Sequence, residues 1–234
     1  MSLPIVLIDG RLPRPIIREL EKIAEPLLIP EQPGVYEAIA AHPDIFFCPI
    51  NTGLVHAPLL DLPLLESLQR RGIQLVAGSK TPGASYPASV PYNAVVTPDF
   101  LIHYLPATDP TILHHSSQRR QILVKQGYTR CSLLPLPGNN FITSDRGIEK
   151  KLIEAGLEVF YYPPDDIMLP GLRHGFIGGC AGVLSEKVVF TGRPTDEELR
   201  SDMEKFINKA GMQVVYLSEG NLLDAGSLLF IEKG

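Results

Sequence analysis

The sequence predicts an α/β fold in which five strand–strand–helix–strand (ββαβ) units form a closed five-bladed propeller around a polar pore. Two segments, 154–159 (EAGLEV) and 209–214 (KAGMQV), end a helix and begin a strand in the same way. Comparable units recur at a spacing of roughly 40 to 50 residues, the range typical of repeat architectures. The last apolar run, 227–232, has no unit of its own. We therefore expect it to complete the first blade, which removes the exposed sheet edges.

The predicted elements follow one another in the order that this fold requires. The first unit has a strand at 5–9, a helix at 14–23 and a strand at 27–30. Each of the next four units has two adjacent strands, a helix and a third strand. Their strands are predicted at 45–50, 53–56, 73–77, 94–97, 100–103, 121–125, 132–136, 140–144, 157–162, 180–184, 187–192 and 212–217.

Local signals mark the helices between these strands. One helix is predicted at 59–71, and Pro110 after Asp109 is typical of a first helical turn. Asp145 is expected to begin the fourth unit's helix. In the fifth unit, Thr195 and Glu198 have the spacing of a capping box, in which both side chains satisfy free amides.

Two structural alternatives remain open at this point. An ordinary open α/β sheet also alternates strands and helices. The irregular segment 78–92, rich in Pro, Gly, Ser and Ala, is either a cover over one mouth of the ring or a plain surface connection.

Composition excludes several classes of protein. With 234 residues, 44% of them hydrophobic, the chain can bury one core, and we expect a single domain over residues 1–234. The net charge is −5 and the basic residues are scattered, which argues against nucleic acid. Three widely spaced cysteines do not suggest disulfides. No apolar run is long enough for a signal peptide or a membrane span, so a cytoplasmic protein is expected.

Three segments, 142–148 (ITSDRGI), 175–182 (GFIGGCAG) and 224–229 (DAGSLL), resemble the pentein superfamily. This is the five-bladed α/β propeller of deiminases, dimethylarginine dimethylaminohydrolases, amidinotransferases and a ribosome anti-association factor. The chain is most similar to a bacterial branch that lacks the standard catalytic His and Cys. The resemblance implies a central pore in which a Cys attacks a guanidinium carbon, a His moves protons and carboxylates hold the cation.

The chain departs from the family's catalytic pattern at two of three positions. Asp44, in the segment HPD, resembles a conserved guanidinium-binding carboxylate. The family's catalytic His should fall near Cys131, where there is none. The family's nucleophilic Cys falls on Ala225. The resemblance therefore predicts the fold more firmly than the reaction.

Equivalent positions in the units predict which side chains face the pore. Two acids and two further polar residues are expected to bind substrate: Asp44, Asn93, Arg130 and Asp224. The catalytic candidates are Cys131 or Cys180 as nucleophile and His174 as acid and base. We expect Arg130 to lower the pKa of Cys131. The alternatives are strand-start hydrogen bonding for the acids, buried packing for the thiols and a plain loop position for His174.

Metal and cofactor chemistry is not predicted. The histidines His56, His103, His114 and His115 lack the spacing of metal ligands within one element. The glycines before Cys180 precede a strand, so they do not form a phosphate loop at a helix start. A small molecule in the pore is the expected partner, and a homo-oligomer is left open.

Two functions follow from these residues. The first is a hydrolase or transferase of the amidinohydrolase or amidinotransferase type that acts on a guanidino or related cationic small molecule. The alternative is a propeller of the same fold that binds a small molecule or a protein without catalysis.

Overall fold

The computed structural model describes residues 3–51 and 53–231. Within this part of the chain the strands are β1 Ile5–Asp9, β2 Glu25–Ile29, β3 Phe47–Ile50, β4 Gly53–His56, β5 Leu75–Ala77, β6 Val95–Val96, β7 Phe100–His103, β8 Arg120–Leu123, β9 Leu133–Leu136, β10 Asn140–Thr143, β11 Glu158–Tyr161, β12 Ala181–Leu184, β13 Lys187–Phe190, β14 Gln213–Tyr216 and β15 Leu229–Ile231. The helices are α1 Arg14–Glu21, α2 Pro43–Phe46, α3 Leu62–Arg70, α4 Pro110–His115, α5 Thr129–Ser132, α6 Arg146–Glu154 and α7 Glu197–Lys209.

These strands form five sheets of three strands each. In every sheet the middle strand pairs antiparallel with one neighbour and parallel with a strand that follows a helix. In the first sheet the C-terminal strand β15 pairs antiparallel with β1, with Val6 opposite Phe230. The predicted propeller of ββαβ units, with its first blade completed by the C-terminal strand, is confirmed. Glu232, the last residue of the predicted strand, lies outside the described residues.

Apolar side chains from adjacent blades pack together around the ring. One buried cluster joins the first three blades, another the third and fourth, and another the fourth and fifth. A further cluster contains Val6 and Ile8 of the first blade with Val189 of the fifth. Because the first and last blades share a core, the arrangement is a ring and not an open sheet.

A short helical turn precedes the inner strand of three blades, which corrects the predicted strand starts. Strand β3 begins at Phe47 and not at residue 45, because α2 occupies the preceding residues. Helix α5 precedes β9 in the same way, and a 3-10 turn at Ile177–Cys180 precedes β12. Apolar runs do not distinguish a short buried turn from a strand, so the pattern alone missed these turns.

Aspartate side chains begin three of the helices. Asp109 and Asp145 accept from the amides of Thr111 and Ile148, as expected of N-caps. The predicted capping box in the fifth unit is wrong. Asp196 caps α7, and the Thr195 hydroxyl donates instead to Asp166 at 3.0 Å.

The irregular segment 78–92 is anchored beside the third blade. Asp109 Oδ2 accepts from the amides of Ser79 and Lys80 at 2.9 and 2.7 Å, and the Tyr92 hydroxyl donates to the Lys80 carbonyl at 2.6 Å. Ser89 hydrogen-bonds the Tyr128 hydroxyl at 2.6 Å, which links the segment to the residue before helix α5. In the part of the chain that the structure covers, no helix combines the length and apolarity needed to cross a membrane.

Candidate active site

The helical turns that precede the inner strands carry polar side chains to the axis of the ring. Helix α2 supplies Asp44 and α5 supplies Cys131, while Ser227 precedes the closing strand. The Cys131 thiol donates to Asp44 Oδ2 at 3.1 Å, and the Ser227 hydroxyl donates to the same oxygen at 2.6 Å. Three blades therefore meet at one buried carboxylate.

Asn93 holds Cys131 and Asp44 together. Its side-chain oxygen accepts from the amides of Arg130 and Cys131 at 2.7 and 3.1 Å. Its amide nitrogen donates to the Asp44 carbonyl and to Cys131 Sγ, both at 3.2 Å. All four polar contacts are internal, so Asn93 positions the thiol and the acid.

The predicted substrate ligand Arg130 faces away from Cys131. Its guanidinium donates to the carbonyls of Gly178 and Ala181 at 2.9 and 3.2 Å. It lines a separate, mostly apolar recess of about 150 Å³ walled by the strands that follow the helical turns. Burial lowers the pKa of Arg130, and the nearby Asp44 opposes that shift.

A cavity of about 270 Å³, here called the central cavity, opens beside Cys131. It adjoins a second cavity of about 540 Å³, the outer cavity, and the two share Tyr36, His42, Leu169, Leu172 and Asp224. The central cavity is also lined by Ile39, Tyr128, Cys131, Arg173, His174 and Phe176. Asp44 lies beneath Cys131 and is not part of the wall.

Asp224 is the buried acid of the central cavity. Its two oxygens accept from the amides of Phe176 and Gly226 at 2.9 and 3.1 Å. Burial raises the pKa of Asp224 to about 6, a shift that the Asp44 charge increases and His42 opposes. A side chain on Gly179 would overlap the carboxyl group. The glycines before Cys180 are thus required by close packing.

His42 is a site residue that the sequence analysis did not select. Its side chain lies between two acids, with Nε2 3.8 Å from Asp9 Oδ2 and Nδ1 4.0 Å from Asp224 Oδ1. Gly226, with a φ of +67°, leaves no room for a side chain because the His42 ring packs against it. The available signal was the position of His42 two residues before Asp44.

The tyrosine pair Tyr36 and Tyr128 was also missed. Their hydroxyls lie 3.0 Å apart, and both rings line the central cavity. Ser89 extends this chain of hydroxyl groups. The pair gives the wall of the central cavity an aromatic face next to its acid.

The other two catalytic candidates are placed differently from each other. His174 lines the central cavity with Cys131, and its Nδ1 lies 3.0 Å from its neighbour's carbonyl, Gly175 O. Cys180 is buried in the core shared by the fourth and fifth blades, where its thiol donates to Phe176 O at 3.3 Å. Among the described residues, no hydrogen bond joins either thiol to His174. Of the predicted pore residues, the structure thus brings Asp44, Asn93, Cys131 and Asp224 together.

The charges of Arg130 and of a Cys131 thiolate favour each other, as expected, but other effects on the Cys131 pKa are larger. Burial and the charges of Asp44 and Asp224 raise the pKa of the Cys131 thiol well above its usual range. Burial also raises the pKa of Cys180. The thiol on the cavity wall is therefore protonated in the ligand-free protein.

The sequence matches the model of the Family of unknown function (DUF6873) over residues 7–229. The chain belongs to this family. A comparison with curated protein sequences finds no match.

Solved structures of guanidino-modifying enzymes share the fold. SxtG, an amidinotransferase from Microseira wollei in the saxitoxin biosynthetic pathway, is 14% identical, with 93% of this chain and 89% of that chain covered and a TM-score of 0.58. C. jejuni agmatine deiminase is 8% identical, with 100% and 94% covered and a TM-score of 0.60. An inosamine-phosphate amidinotransferase from Streptomyces griseus is 12% identical, with 93% and 88% covered and a TM-score of 0.57. The expected likeness to the pentein fold is thus confirmed.

Proposed function

We propose that this protein binds a guanidino or related cationic small molecule in the central cavity and acts on it as a hydrolase or transferase. The observation that carries the proposal is the buried Asp224 carboxylate in the cavity wall, beside the Cys131 thiol. Guanidino-modifying enzymes of the same fold support the choice of substrate class.

The charge balance around the two cavities favours a cation. Four acids line the walls of the two cavities, Asp9, Glu31, Glu37 and Asp224, against the two cations Arg11 and Arg173, and Asp44 lies just beneath. Arg11 is held by Asp9 at 2.7 Å, and Arg130 donates to backbone carbonyls. Buried like charges repel unless a cation lies between them. A guanidinium group supplies that charge together with N–H donors that match a carboxylate.

Cys131 is the proposed nucleophile. A bound cation offsets the Asp44 and Asp224 charges that keep the thiol protonated, and Asp44 Oδ2 is placed to accept the proton at 3.1 Å. The thiolate then adds to the guanidinium carbon, and ammonia or the substrate's amine leaves with the proton that Asp44 accepted. The remaining carbon fragment stays bound to sulfur until water or an acceptor amine takes it, which separates hydrolase from transferase.

Turnover tests this proposal. The purified protein is incubated with arginine, agmatine and methylated arginines, and ammonia, urea and citrulline are measured. We expect product from at least one compound, loss of product in Cys131→Ser, and no change in Cys180→Ser, since Cys180 lies outside the cavities. Activity that survives Cys131→Ser would remove the assigned nucleophile.

Two observations favour the non-catalytic alternative. Ala225 stands where the resemblance to the pentein enzymes places their nucleophilic Cys. The Cys131 thiol is protonated in the ligand-free protein. A protein that only binds its ligand would show a higher melting temperature with a compound that is recovered unchanged. The two functions are thus separated by whether the stabilising compound is consumed.

A further inference from the structure

We infer that His42, Asp44 and Cys131 form a binding site for a transition-metal dication of the zinc class. One ligand atom from each side chain, imidazole nitrogen, carboxylate oxygen and thiol sulfur, lies within 4.8 Å of the other two. The three side chains are buried, with residue exposures of 1%, 0% and 3%. Small side-chain movements bring such atoms to the separations found around one ion.

Two of the three side chains carry a polar atom that lacks a partner. His42 Nδ1 and Asp44 Oδ1 are buried and form no hydrogen bond within the described residues. A buried polar atom without a partner has lost its hydrogen bonds to water, and the cost is larger when the atom carries charge. Two such atoms in one three-ligand cluster are explained together by a cation that binds both.

The ligand chemistry selects the metal. Magnesium and calcium prefer sites made of oxygen atoms, whereas sulfur and imidazole nitrogen favour zinc, cobalt and similar ions. Neighbouring groups are placed to orient the ligands: Asp9 lies 3.8 Å from His42 Nε2, and Ser227 donates to Asp44 Oδ2. A carboxylate behind a histidine is a common arrangement at zinc sites.

Metal binding at this site competes with the proposed chemistry. The ion displaces one proton from the Cys131 thiol and then holds the sulfur lone pair that would attack a guanidinium carbon. His42 and Cys131 line the central cavity, so a fourth ligand can come from that side. The site goes beyond the proposed function and does not depend on it, because metal binding can be measured without a substrate.

Cobalt titration tests the site directly. Metal-free protein is titrated with Co²⁺, and the sulfur-to-cobalt absorption band and the visible bands of a low-symmetry site are followed, with Zn²⁺ added last. We expect saturation at one ion per chain and displacement by Zn²⁺. The sulfur band should be lost in Cys131→Ser and be unchanged in the controls Cys48→Ser and Cys180→Ser. Affinity should fall by more than about tenfold in His42→Gln.

A second measurement covers variants that do not fold. Zn²⁺ should protect Cys131 of the unmodified protein from alkylation by iodoacetamide, as read by peptide mass spectrometry. A wild-type protein without the band, a band that persists in Cys131→Ser, or alkylation unaffected by Zn²⁺ would overturn the site. Metal binding without turnover would count against the proposed function alone, and turnover without metal binding against the site alone.

Discussion

At the scale of single residues, Asp44 organises the centre of the ring. Its Oδ2 accepts from Cys131 and from Ser227, a residue 183 positions away in the chain. Hydrogen bonds to a charged group contribute more to stability than neutral ones. Asp44 therefore joins the second blade to the fourth blade and to the closing strand.

Removing the Ser227 hydroxyl should show how much this hydrogen bond contributes to stability. We expect Ser227→Ala to lower the free energy of unfolding by about 1.5–3 kcal/mol, because Asp44 loses its shortest donor. Urea unfolding followed by circular dichroism measures the difference. Ser117→Ala, at an exposed position, is the control and should change stability little. Equal stability of the two variants would contradict the role given to Ser227.

Gly179 should tolerate no side chain, for a related reason. A methyl group there overlaps the Asp224 carboxyl group, which must then leave its amide donors. We expect Gly179→Ala to cost about 3 kcal/mol or more in urea unfolding. Gly156→Ala is the matched control: its φ of +83° is strained for alanine, but the space is open, so about 1 kcal/mol is expected. A smaller loss at Gly179 than at Gly156 would refute the packing argument.

The sequence could predict part of this centre. Asp44, Cys131 and Asp224 were accessible because they occupy equivalent places in the units. His42 and Ser227 were not, because their importance depends on contacts between distant segments, such as the pairing of His42 with Asp9 and Asp224.

At the scale of elements, the short helical turns before the inner strands determine which side chains reach the axis. Four residues of α2 or α5 turn the chain so that Asp44 and Cys131 lie side by side. The strands that follow were predicted from their apolar residues, but the turns were not, because a four-residue helix is too short to show a helical period.

Asp109 connects helix α4 to the segment 78–92, and we expect this connection to be strongest while Asp109 is ionised. Burial by itself would raise the pKa of Asp109, but amide donation from Lys80, Thr111 and Ser79 outweighs it and lowers the pKa. The ionised form therefore contributes stability above the ordinary pKa of about 3.9, and this contribution is lost as the pH falls through the lower folded-state value.

Replacing that acid tests the link between loop and helix. We expect Asp109→Asn to cost about 2 kcal/mol near neutral pH, because an amide directs N–H groups toward N–H donors. The gap to wild type should narrow as the pH falls below about 4. Urea unfolding across this range measures both quantities. A gap that stays constant with pH would show that the charge of Asp109 has no role.

At the scale of the whole molecule, the ring and its closing strand were predictable, because the apolar run near the C-terminus had no unit of its own. The pairing of Val6 with Phe230 and the core shared by blades one and five follow from that prediction. The positions of side chains around the axis were harder to predict than the ring, because they depend on how the five blades pack against one another.

The acid stability of the whole molecule should depend on His103. This side chain is buried between Thr108 Oγ1 at 2.7 Å and Gly127 O at 2.9 Å, and burial lowers its pKa to about 4. The unfolded chain takes up the proton near pH 6.5, so the stability that His103 contributes falls between pH 6.5 and 4 by up to about 3 kcal/mol. Protonation of Asp224, whose pKa is raised to about 6, changes stability in the opposite direction over part of this interval.

His103→Gln removes that titration, so its stability relative to wild type should rise as the pH falls from 6.5 to 4. Melting temperatures and urea midpoints across this interval measure the slope. His114→Gln, at an exposed position on α4, should keep the wild-type slope. The same slope in both variants would assign the acid sensitivity to other groups.

The central claim is that the acid in the wall of the central cavity binds a cation of the guanidino class. Isothermal titration calorimetry with agmatine tests it most directly, on wild type, Asp224→Asn and the exposed-site control Asp202→Asn. We predict one agmatine per chain for wild type and Asp202→Asn, and affinity lowered by about tenfold or more in Asp224→Asn, as expected for the loss of a buried charge pair. No heat of binding in wild type, or equal affinity in a folded Asp224→Asn protein, would contradict the account.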